Sequence, residues 1–547
     1  MEKSIIYQIF PRYWGDRAGK QKKGGTLDEN GCGKFSNIDT ESLDYFKSLG
    51  ITHLWLTGIV RHATGESTGG CRASSPDWVK GRAGSPYAIT DYYDVNPYLA
   101  DVPERRMEEF RDLVTRIHEA GLKVIIDFVP NHVARAYAAF TESHPAPTGM
   151  PALGADDDKS VHWKEENDFF YYPGTELKLP IKSQSYKELP ALASGNAYTA
   201  EPDVNDWYDT VKINYCDTHT RTWDKMLDIV NFWAGMGIDG FRCDMVELVP
   251  ADFFTWLIRE IHKLHPDITF IAEVYQKELY SKYIREVGFD LLYDKSGMYD
   301  TVRAIVQKNT DDSGVPVEAW QSAKKITWNW QSLGDLQPYM LNFLENHDEQ
   351  RFASDFFGKD AVNAFAALYA SLYFNRASFM IYSGQEIGER GMYQEGFSGK
   401  DGRSTIFDWY TSEKTMRLWR YIHGDNKALD RKEVALLERY RSALNGAVTD
   451  KAVKYGSTYD LCYCNYASDG FCADRHFAFL RDCGDETLLV ACNFSAFPAK
   501  MELYIPEHAF QWMELPETET LNHGRPFCVN VPPMDAVVMK ISCSAGL

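Results

Sequence analysis

The chain has 547 residues, of which 44% are hydrophobic and 14% aromatic, enough to bury large cores and to exclude a disordered protein. Its length is several times that of a typical domain, so we expect two or three domains. With 58 Lys and Arg against 78 Asp and Glu, the net charge is −20, which repels phosphate backbones and anionic lipids. Nucleic acid and membrane surfaces are therefore excluded as first expectations, and a neutral substrate is favoured.

The first residues predict a strand, Ile5–Phe10, and lack the long apolar segment of a signal peptide. No uncharged apolar run reaches the roughly 20 residues that cross a bilayer. The 11 cysteines show no zinc-type pairs and are typical of a reducing compartment. We therefore expect a cytoplasmic protein, although a secreted chain that has lost its signal peptide would look the same.

Short β-branched or aromatic runs alternate with longer amphipathic stretches up to about residue 447. The runs predict eight strands: Ile5–Phe10, Thr52–Thr57, Lys123–Val129, Gly240–Asp244, Thr269–Val274, Leu291–Asp294, Met340–Glu345 and Ser378–Ser383. Between them, helical periodicity covers stretches such as Glu104–Ala120, Thr222–Met236 and Ala251–His265. Eight strand–helix units predict an α/β fold, a (β/α)8 TIM barrel. The alternative is an open doubly wound sheet, but the glycines after the first strand do not form its tight phosphate loop.

Two segments interrupt this alternation. Residues 134–217 are rich in Pro, Tyr and acidic residues without a clean period, and their length predicts a subdomain inserted after the third strand. Beyond residue 447 the short alternating runs His476–Leu480, Thr487–Asn493 and Ala536–Ile541 predict a C-terminal antiparallel β-sandwich domain. We expect a barrel formed by residues 1–133 and 218–447, an insert at 134–217 and a β-domain at 448–547.

Charged side chains gather where four of the predicted strands end, and the carboxyl ends of barrel strands share one face. In chain order these ends carry Asp127 with Asn131 and His132, Arg242 with Asp244, Glu273 with Tyr275, and Glu345 with Asn346, His347 and Asp348. Taken singly, a carboxylate at a strand end is more often a helix cap or a surface charge. Four such clusters at four of eight strand ends favour one shared site.

Paired carboxylates in this position suit acetal cleavage. A retaining glycosidase needs an ionised carboxylate as nucleophile and a protonated one as acid, roughly 5–5.5 Å apart. Adjacent strands lie about 4.8 Å apart, so Asp244 and Glu273 could face each other. Arg242 shares a face with Asp244 and would hold it ionised, whereas burial and a neighbouring anion would keep Glu273 protonated.

These ordered motifs resemble those of the α-amylase family, glycoside hydrolase family 13. The resemblance is carried by Asp127-x-x-x-Asn131-His132, Gly240-Phe-Arg242-x-Asp244, the Glu273 segment and Asn346-His347-Asp348. It extends to the opening Ile-Tyr-Gln-Ile-Phe-Pro-Arg and to Tyr382-Ser-Gly-Gln-Glu-Ile-Gly, and it spans residues 1 to about 545. It implies that the insert is the family's domain B and that the C-terminal β-domain is its domain C.

The resemblance also implies roles for individual residues. Asp244 is similar to the family's nucleophile, Glu273 to its acid/base and Asp348 to its transition-state stabiliser. Asp127 would support the site, and Arg242 would orient the nucleophile. The implied sugar-binding residues are Tyr87, His132, Arg242, His347 and Arg351. A core position is the alternative for Tyr87, and a surface ion pair is the alternative for Arg351.

The implied function is retaining cleavage of α-glucosidic bonds in starch-derived glucans or maltooligosaccharides, through a covalent glycosyl-enzyme. A transglycosylase that uses the same carboxylates with a sugar acceptor is the alternative. A catalytically inactive carbohydrate-binding relative is disfavoured, because all three carboxylates are present. Glu247 and Leu248 stand where many amylases carry Lys-His, so binding on the acceptor side is expected to differ.

No cofactor is required for this chemistry, but the resemblance leaves room for a structural calcium ion. Asn131 matches a family calcium ligand between the barrel and domain B. Asp203 and Asp217 are candidates for the accompanying carboxylates. The expected partner is an oligosaccharide or polysaccharide α-glucan, with no nucleic acid and no membrane.

Overall fold

A closed barrel of eight parallel strands lies at the centre of the molecule in the computed structural model. The structure describes residues 3–15, 21–137, 146–310, 317–393, 400–410, 413–484, 486–515, 517 and 522–543. The barrel strands, β1 to β8 in chain order, are Ile5–Ile9, His53–Leu56, Lys123–Phe128, Gly240–Cys243, Thr269–Ala272, Leu291–Tyr293, Met340–Phe343 and Ser378–Tyr382. Strand β8 closes the barrel onto β1. The predicted TIM barrel is confirmed, and all eight strands end within two residues of their predicted bounds.

Helices follow the strands and cover the barrel. Those after β1 to β4 are Thr40–Ser48, Arg106–Glu119, Arg221–Gly235 and Ala251–Leu264. The later ones are Tyr280–Lys282, Tyr283–Val287, Asp300–Thr310, Lys324–Leu333, Phe365–Tyr373, Glu413–Ile422 and Arg431–Thr449, with short helices at Leu27–Asn30, Lys451–Tyr455, Cys462–Asn465 and Glu507–Met513. In Ala251–Leu264 the buried residues recur every three or four positions, at Phe253, Phe254, Leu257, Ile258 and Ile261. Such a stripe gives the helix one apolar face for the barrel wall.

Short antiparallel pairs extend from the carboxyl end of the barrel. After β2, strand Val60–His62 pairs with Ile89–Val95. In the insert after β3, His132–Ala134 pairs with Thr210–Lys212, and Tyr171–Tyr172 pairs with Ala191–Leu192. Since the strand His132–Ala134, which leads into the insert, begins only a few residues past β3, the insert is anchored beside the predicted site.

The C-terminal region forms antiparallel sheets, as the sequence predicts. A four-stranded sheet contains Ser457–Asp460, His476–Asp482, Glu486–Asn493 and Asp535–Cys543, and a two-stranded sheet pairs Ala499–Leu503 with Phe527–Val531. Phe374, at the end of a barrel helix, packs against Phe477 and Phe479. The two regions therefore share one hydrophobic core. Among the helices that the structure describes, none is long and apolar enough to cross a membrane.

Candidate active site

Asp244 and Glu273 lie side by side because β4 and β5 pair in register. Cys243 at the end of β4 pairs with Ala272 at the end of β5, so the next residue of each strand is one of the two carboxylates. The N–H of Glu273 donates to the Cys243 carbonyl at 3.2 Å, which continues the strand pairing one step further. Both side chains are buried, at 9% and 3% exposure. The barrel therefore brings the predicted pair together at its carboxyl end.

Arg242 contacts three carboxylates from inside the barrel. Its Nη1 donates to Asp244 Oδ1 at 2.6 Å and lies 3.6 Å from Asp127 Oδ1. Its Nη2 lies 2.8 Å from Glu273 Oε1, but without the alignment of a hydrogen bond. Among the three carboxylates, Asp244 therefore takes the directed hydrogen bond of Arg242, as expected for a residue that orients the nucleophile.

Aromatic side chains hold this guanidinium in place. The rings of Trp55, Tyr87 and Tyr293 lie 5.5, 5.5 and 5.6 Å from the Arg242 Cζ atom. Trp55 also donates from Nε1 to Asp127 Oδ2 at 3.0 Å, so Asp127 is fixed on its other side. Cation–π contacts of this kind favour a charged arginine in a desolvated position. Asp127 thus lies where a supporting residue was expected.

The buried carboxylates are not fully compensated by Arg242. Burial raises the pKa of Asp244 and also the pKa of Asp127, and in both cases the Arg242 guanidinium opposes the rise. Because three carboxylates face one guanidinium, the cluster carries an excess of negative charge. An environment that penalises full ionisation favours the retention of a proton within the cluster, which an acid/base site requires.

Asp348 lies at the more exposed edge of this cluster, at 35% side-chain exposure, and follows β7. The Gln8 amide nitrogen lies 2.7 Å from His347 Nδ1, and His347 Nε2 lies 3.0 Å from Asp348 Oδ2. Burial raises the pKa of Asp348, but His347 and the Arg242 and Arg403 guanidinium groups outweigh it and leave the pKa below its ordinary value. Asp348 is therefore held in its ionised form.

Tyr87 stacks on His347 at the same edge. Their ring centroids lie 5.3 Å apart at an interplanar angle of 22°. The Tyr87 hydroxyl lies 2.6 Å from His347 Nε2 and 3.5 Å from Asp127 Oδ1. The half-buried Tyr87 ring thus borders the carboxylate cluster, where a residue that stacks on a sugar was expected.

His132 begins the strand that leads into the insert and is buried beside Trp207, whose ring lies 5.2 Å away at 55°. Burial, reinforced by the positive charges of Lys212 and Lys80, lowers the pKa of His132 to about 3. A neutral imidazole can both donate and accept a hydrogen bond, which suits sugar hydroxyls. Trp207 is a residue that the sequence analysis missed, because the insert offers no periodicity that would place it near His132.

Asn131, the expected calcium ligand, contacts a lysine instead. The buried Lys212 ammonium donates to Asn131 Oδ1 and, at 3.0 Å, to the Leu248 carbonyl. Calcium requires six to eight oxygen ligands, and here the oxygen of Asn131 is already bound by a cationic group. Asp203 and Asp217 are both exposed. The described residues around Asn131 therefore do not fit a calcium ion.

The Arg351 side chain is buried under the segment that follows Asp348 and contacts Glu345 and Ser404. Its Nη1 contacts Glu345 Oε1 at 2.8 Å, and its Nε donates to Ser404 Oγ at 2.9 Å. The side chain is only 4% exposed. The alternative of a surface ion pair is therefore corrected, since Arg351 forms a buried ion pair with Glu345 that supports this segment. The expected sugar contact of Arg351 stays a prediction.

Glu273 has further contacts that the sequence analysis did not identify. The Tyr275 hydroxyl donates to Glu273 Oε1 at 2.7 Å, and the Met245 N–H donates to Glu273 Oε2 at 2.9 Å. Glu247 accepts the N–H of Tyr275 at 3.0 Å and that of Gln276 at 3.1 Å. The proximity of Tyr275 to Glu273 in sequence was a usable signal, whereas the contact of Glu247 required the fold.

Comparison with known proteins places these features in a family. The model of the α-amylase catalytic domain matches residues 8–419. A glucan 1,6-alpha-glucosidase of Streptococcus dysgalactiae subsp. equisimilis is 25% identical, and the match covers 71% of this chain and 65% of that protein, just under two thirds of its length. An oligo-1,6-glucosidase of Bacillus cereus is 23% identical, with 99% of both chains covered.

Solved structures share the fold. Cyclic alpha-maltosyl-(1→6)-maltose hydrolase from Arthrobacter globiformis superposes with a TM-score of 0.63 at 17% identity, covering 98% of each chain. An alpha-amylase from Anoxybacillus superposes with a TM-score of 0.63 at 18% identity, covering 100% of this chain and 99% of the other. Because the family model covers most of the chain, the protein belongs to the α-amylase family, glycoside hydrolase family 13.

Proposed function

We propose that this protein is a retaining glycoside hydrolase that cleaves α-glucosidic bonds in maltooligosaccharides and related α-glucans. The observation that carries the proposal is the register of β4 and β5, which sets Asp244 and Glu273 next to each other. Their surroundings differ, because Asp244 takes the directed hydrogen bond of Arg242 while Glu273 takes hydrogen bonds from Tyr275 and Met245. Arg242 favours the ionised form that a nucleophile needs, and burial among like charges favours a proton on a neighbouring carboxyl, which a proton donor needs.

In the first step, Glu273 in its protonated form gives its proton to the glycosidic oxygen. The Asp244 carboxylate attacks the anomeric carbon, the bond to the leaving sugar breaks, and a covalent glycosyl-enzyme forms. Arg242 favours the ionised form of Asp244 that this attack requires. Asp348 binds hydroxyls of the same sugar more tightly as the ring flattens, which lowers the barrier by differential binding.

In the second step, Glu273 acts as a base. It takes a proton from a water molecule, whose oxygen attacks the anomeric carbon and releases Asp244. Each step inverts the anomeric carbon, so the product keeps the α configuration. Glu273 returns to its protonated form and Asp244 to its ionised form, which completes the cycle.

The surroundings of the carboxylates support a neutral sugar substrate. His132 is uncharged, and the rings of Tyr87 and Trp207 offer flat apolar surfaces of the kind on which sugar rings stack. The relatives are named as glucan 1,6-alpha-glucosidase, oligo-1,6-glucosidase and alpha-amylase. These names support glucose units in α linkage and leave both α-1,4 and α-1,6 bonds to be tested.

Incubation with maltotriose, isomaltose and pullulan, with products resolved over time and by anomeric NMR, tests the proposal. We expect turnover of at least one substrate with the α-anomer formed first. Initial release of the β-anomer would contradict retention, and no turnover of any substrate would contradict a glucan hydrolase. Longer oligosaccharides that accumulate in excess maltose would identify the transglycosylase alternative.

A further inference from the structure

We propose that Glu247 and Tyr275 form one positioning unit that fixes the acid/base carboxyl of Glu273. Glu247 holds the backbone that carries Tyr275, and Tyr275 holds the carboxyl through its hydroxyl group. The inference rests on the proposed function, because it takes Glu273 as the acid/base. Neither residue transfers a proton to substrate, so both are positioning residues.

Both oxygens of the Glu247 carboxylate accept hydrogen bonds from the loop after β5. One oxygen accepts the N–H of Tyr275 at 3.0 Å, and the other accepts the N–H of Gln276 at 3.1 Å. A carboxylate can accept both of these hydrogen bonds, whereas a lysine side chain only donates. Glu247 therefore ties the segment after β4 to the segment after β5, and its oxygens face this loop rather than an acceptor sugar.

Tyr275 is held from two sides. Its backbone is bound by Glu247, and its ring lies 5.9 Å from the Lys295 ammonium. Lys295 is itself fixed by Asp300 at 3.2 Å and by Glu349 at 3.5 Å. Burial and the charge of Glu273 raise the pKa of Tyr275, so its hydroxyl keeps the proton that it donates.

The hydrogen bond from Tyr275 acts differently on the acid and base forms of Glu273. A donated hydrogen bond favours the ionised carboxylate, which is the form that acts as base in the second step. The Tyr275 hydroxyl thus supports the base form at Oε1, the same oxygen that lies 2.8 Å from the Arg242 Nη2 atom. Since Met245 fixes the other oxygen through its N–H, loss of the Tyr275 hydroxyl would change one defined contact of the carboxyl group.

The test compares wild type with Tyr275→Phe, using kcat/KM for maltotriose and for α-maltosyl fluoride across pH. We expect the basic limb of the maltotriose profile to move to higher pH in the variant. We also expect kcat/KM for maltotriose to fall about tenfold, a part of the 10²–10⁴ that acid catalysis supplies. The fluoride value should change much less, because fluoride leaves without a proton.

Two variants of Glu247 test the other half of the unit. Glu247→Gln keeps one acceptor oxygen, so we expect an intermediate effect, whereas Glu247→Ala should match Tyr275→Phe. If the two residues act as one unit, Tyr275→Phe combined with Glu247→Ala should be no worse than either single variant. Additive losses in the double variant would overturn the linkage between them.

Tyr283→Phe is the matched control, because the Tyr283 hydroxyl donates to the Val246 carbonyl at 3.2 Å and not to Glu273. This control should keep the wild-type pH profile and the wild-type ratio between the two substrates. The inference is overturned if Tyr275→Phe behaves like Tyr283→Phe while the wild type is active. A wild type that cleaves neither substrate would instead overturn the proposed function.

Discussion

Arg242 and Lys212 are both buried cations near the carboxyl end of the barrel, but their partners differ. Arg242 faces the carboxylates of Asp244, Glu273 and Asp127. Lys212 donates to two uncharged oxygens, those of Asn131 and the Leu248 backbone. One region therefore has more negative charge than its cation neutralises. In the other, the partners that the structure describes for the cation are neutral oxygens.

This difference in partners assigns catalysis to the region around Arg242 and stability to the region around Lys212. An excess of buried carboxylates is costly to fold, yet it provides both a nucleophile and a group that can hold a proton. The Lys212 ammonium instead links the insert to the segment after β4 and has no evident part in bond cleavage. Neutralising a carboxylate near Arg242 should thus reduce activity more than stability, and removing Lys212 should do the reverse.

Asp244→Asn should give the largest effect. We expect turnover of maltooligosaccharides to fall on the order of 10⁴-fold or more, because the amide is a poor nucleophile. The thermal unfolding midpoint should hold or rise, because one of three mutually repelling carboxylates is removed. The matched control is Asp252→Asn on an exposed helix position, which should leave turnover unchanged. Near-normal turnover in Asp244→Asn would refute the nucleophile assignment.

Lys212→Met should show the opposite pattern. The oxygens of Asn131 and Leu248 would each lose a donor, and an unsatisfied buried oxygen costs roughly 1–3 kcal/mol. We expect the free energy of unfolding to fall by about 2–4 kcal/mol, measured by chemical or thermal denaturation. Lys187→Met is the control, because Lys187 in the same insert pairs with Glu176 at 72% and 45% exposure and should contribute less. An unchanged unfolding midpoint in Lys212→Met would show that Lys212 does not stabilise the fold, and its proposed difference from Arg242 would be wrong.

Calcium chelation tests whether Asn131 binds the Lys212 ammonium or a calcium ion. Because the Lys212 ammonium already binds the Asn131 oxygen, we expect neither EDTA nor added calcium to shift the thermal unfolding midpoint of the wild type. A ligand that binds only the folded state raises the midpoint, and above its Kd the rise grows with the logarithm of its concentration. A clear fall with EDTA that calcium reverses would show a bound ion and contradict the conclusion that the residues around Asn131 do not fit calcium.

The barrel was predictable because its strands are short apolar runs with few alternatives. In β3, for example, Val124, Ile125 and Ile126 are consecutive and buried, which is typical of a parallel strand covered on both faces. The period of two along β4 likewise placed Arg242 and Asp244 on one face. The sequence therefore predicted which charged side chains lie at the carboxyl ends of the strands.

Contacts between distant segments were not predictable in this way. Lys212 and Asn131 are 81 residues apart, and the intervening insert has no periodicity that would bring them together. Arg351 lies three residues after Asp348, but spacing alone does not tell whether a side chain points outward or inward. Its burial depends on Glu345 and on Ser404, which is 53 residues further along the chain.

The smallest expected effect concerns Glu345, which pairs with Arg351. Burial raises the pKa of Glu345 to about 7, and Arg351 opposes the rise. Because the folded state binds this proton more tightly than the unfolded state, the contribution of Glu345 to stability is full below its ordinary pKa and is lost as pH rises toward 7. One such proton changes the free energy of unfolding by at most about 1.4 kcal/mol per pH unit.

Unfolding midpoints of wild type and Glu345→Gln across this pH range measure that contribution. The amide cannot titrate, so the stability of wild type relative to Glu345→Gln should be greatest at low pH and should decline toward pH 7. Since other groups titrate equally in both proteins, the difference between the two curves isolates Glu345. A difference that stays constant or grows with pH would show that Arg351 holds Glu345 ionised throughout.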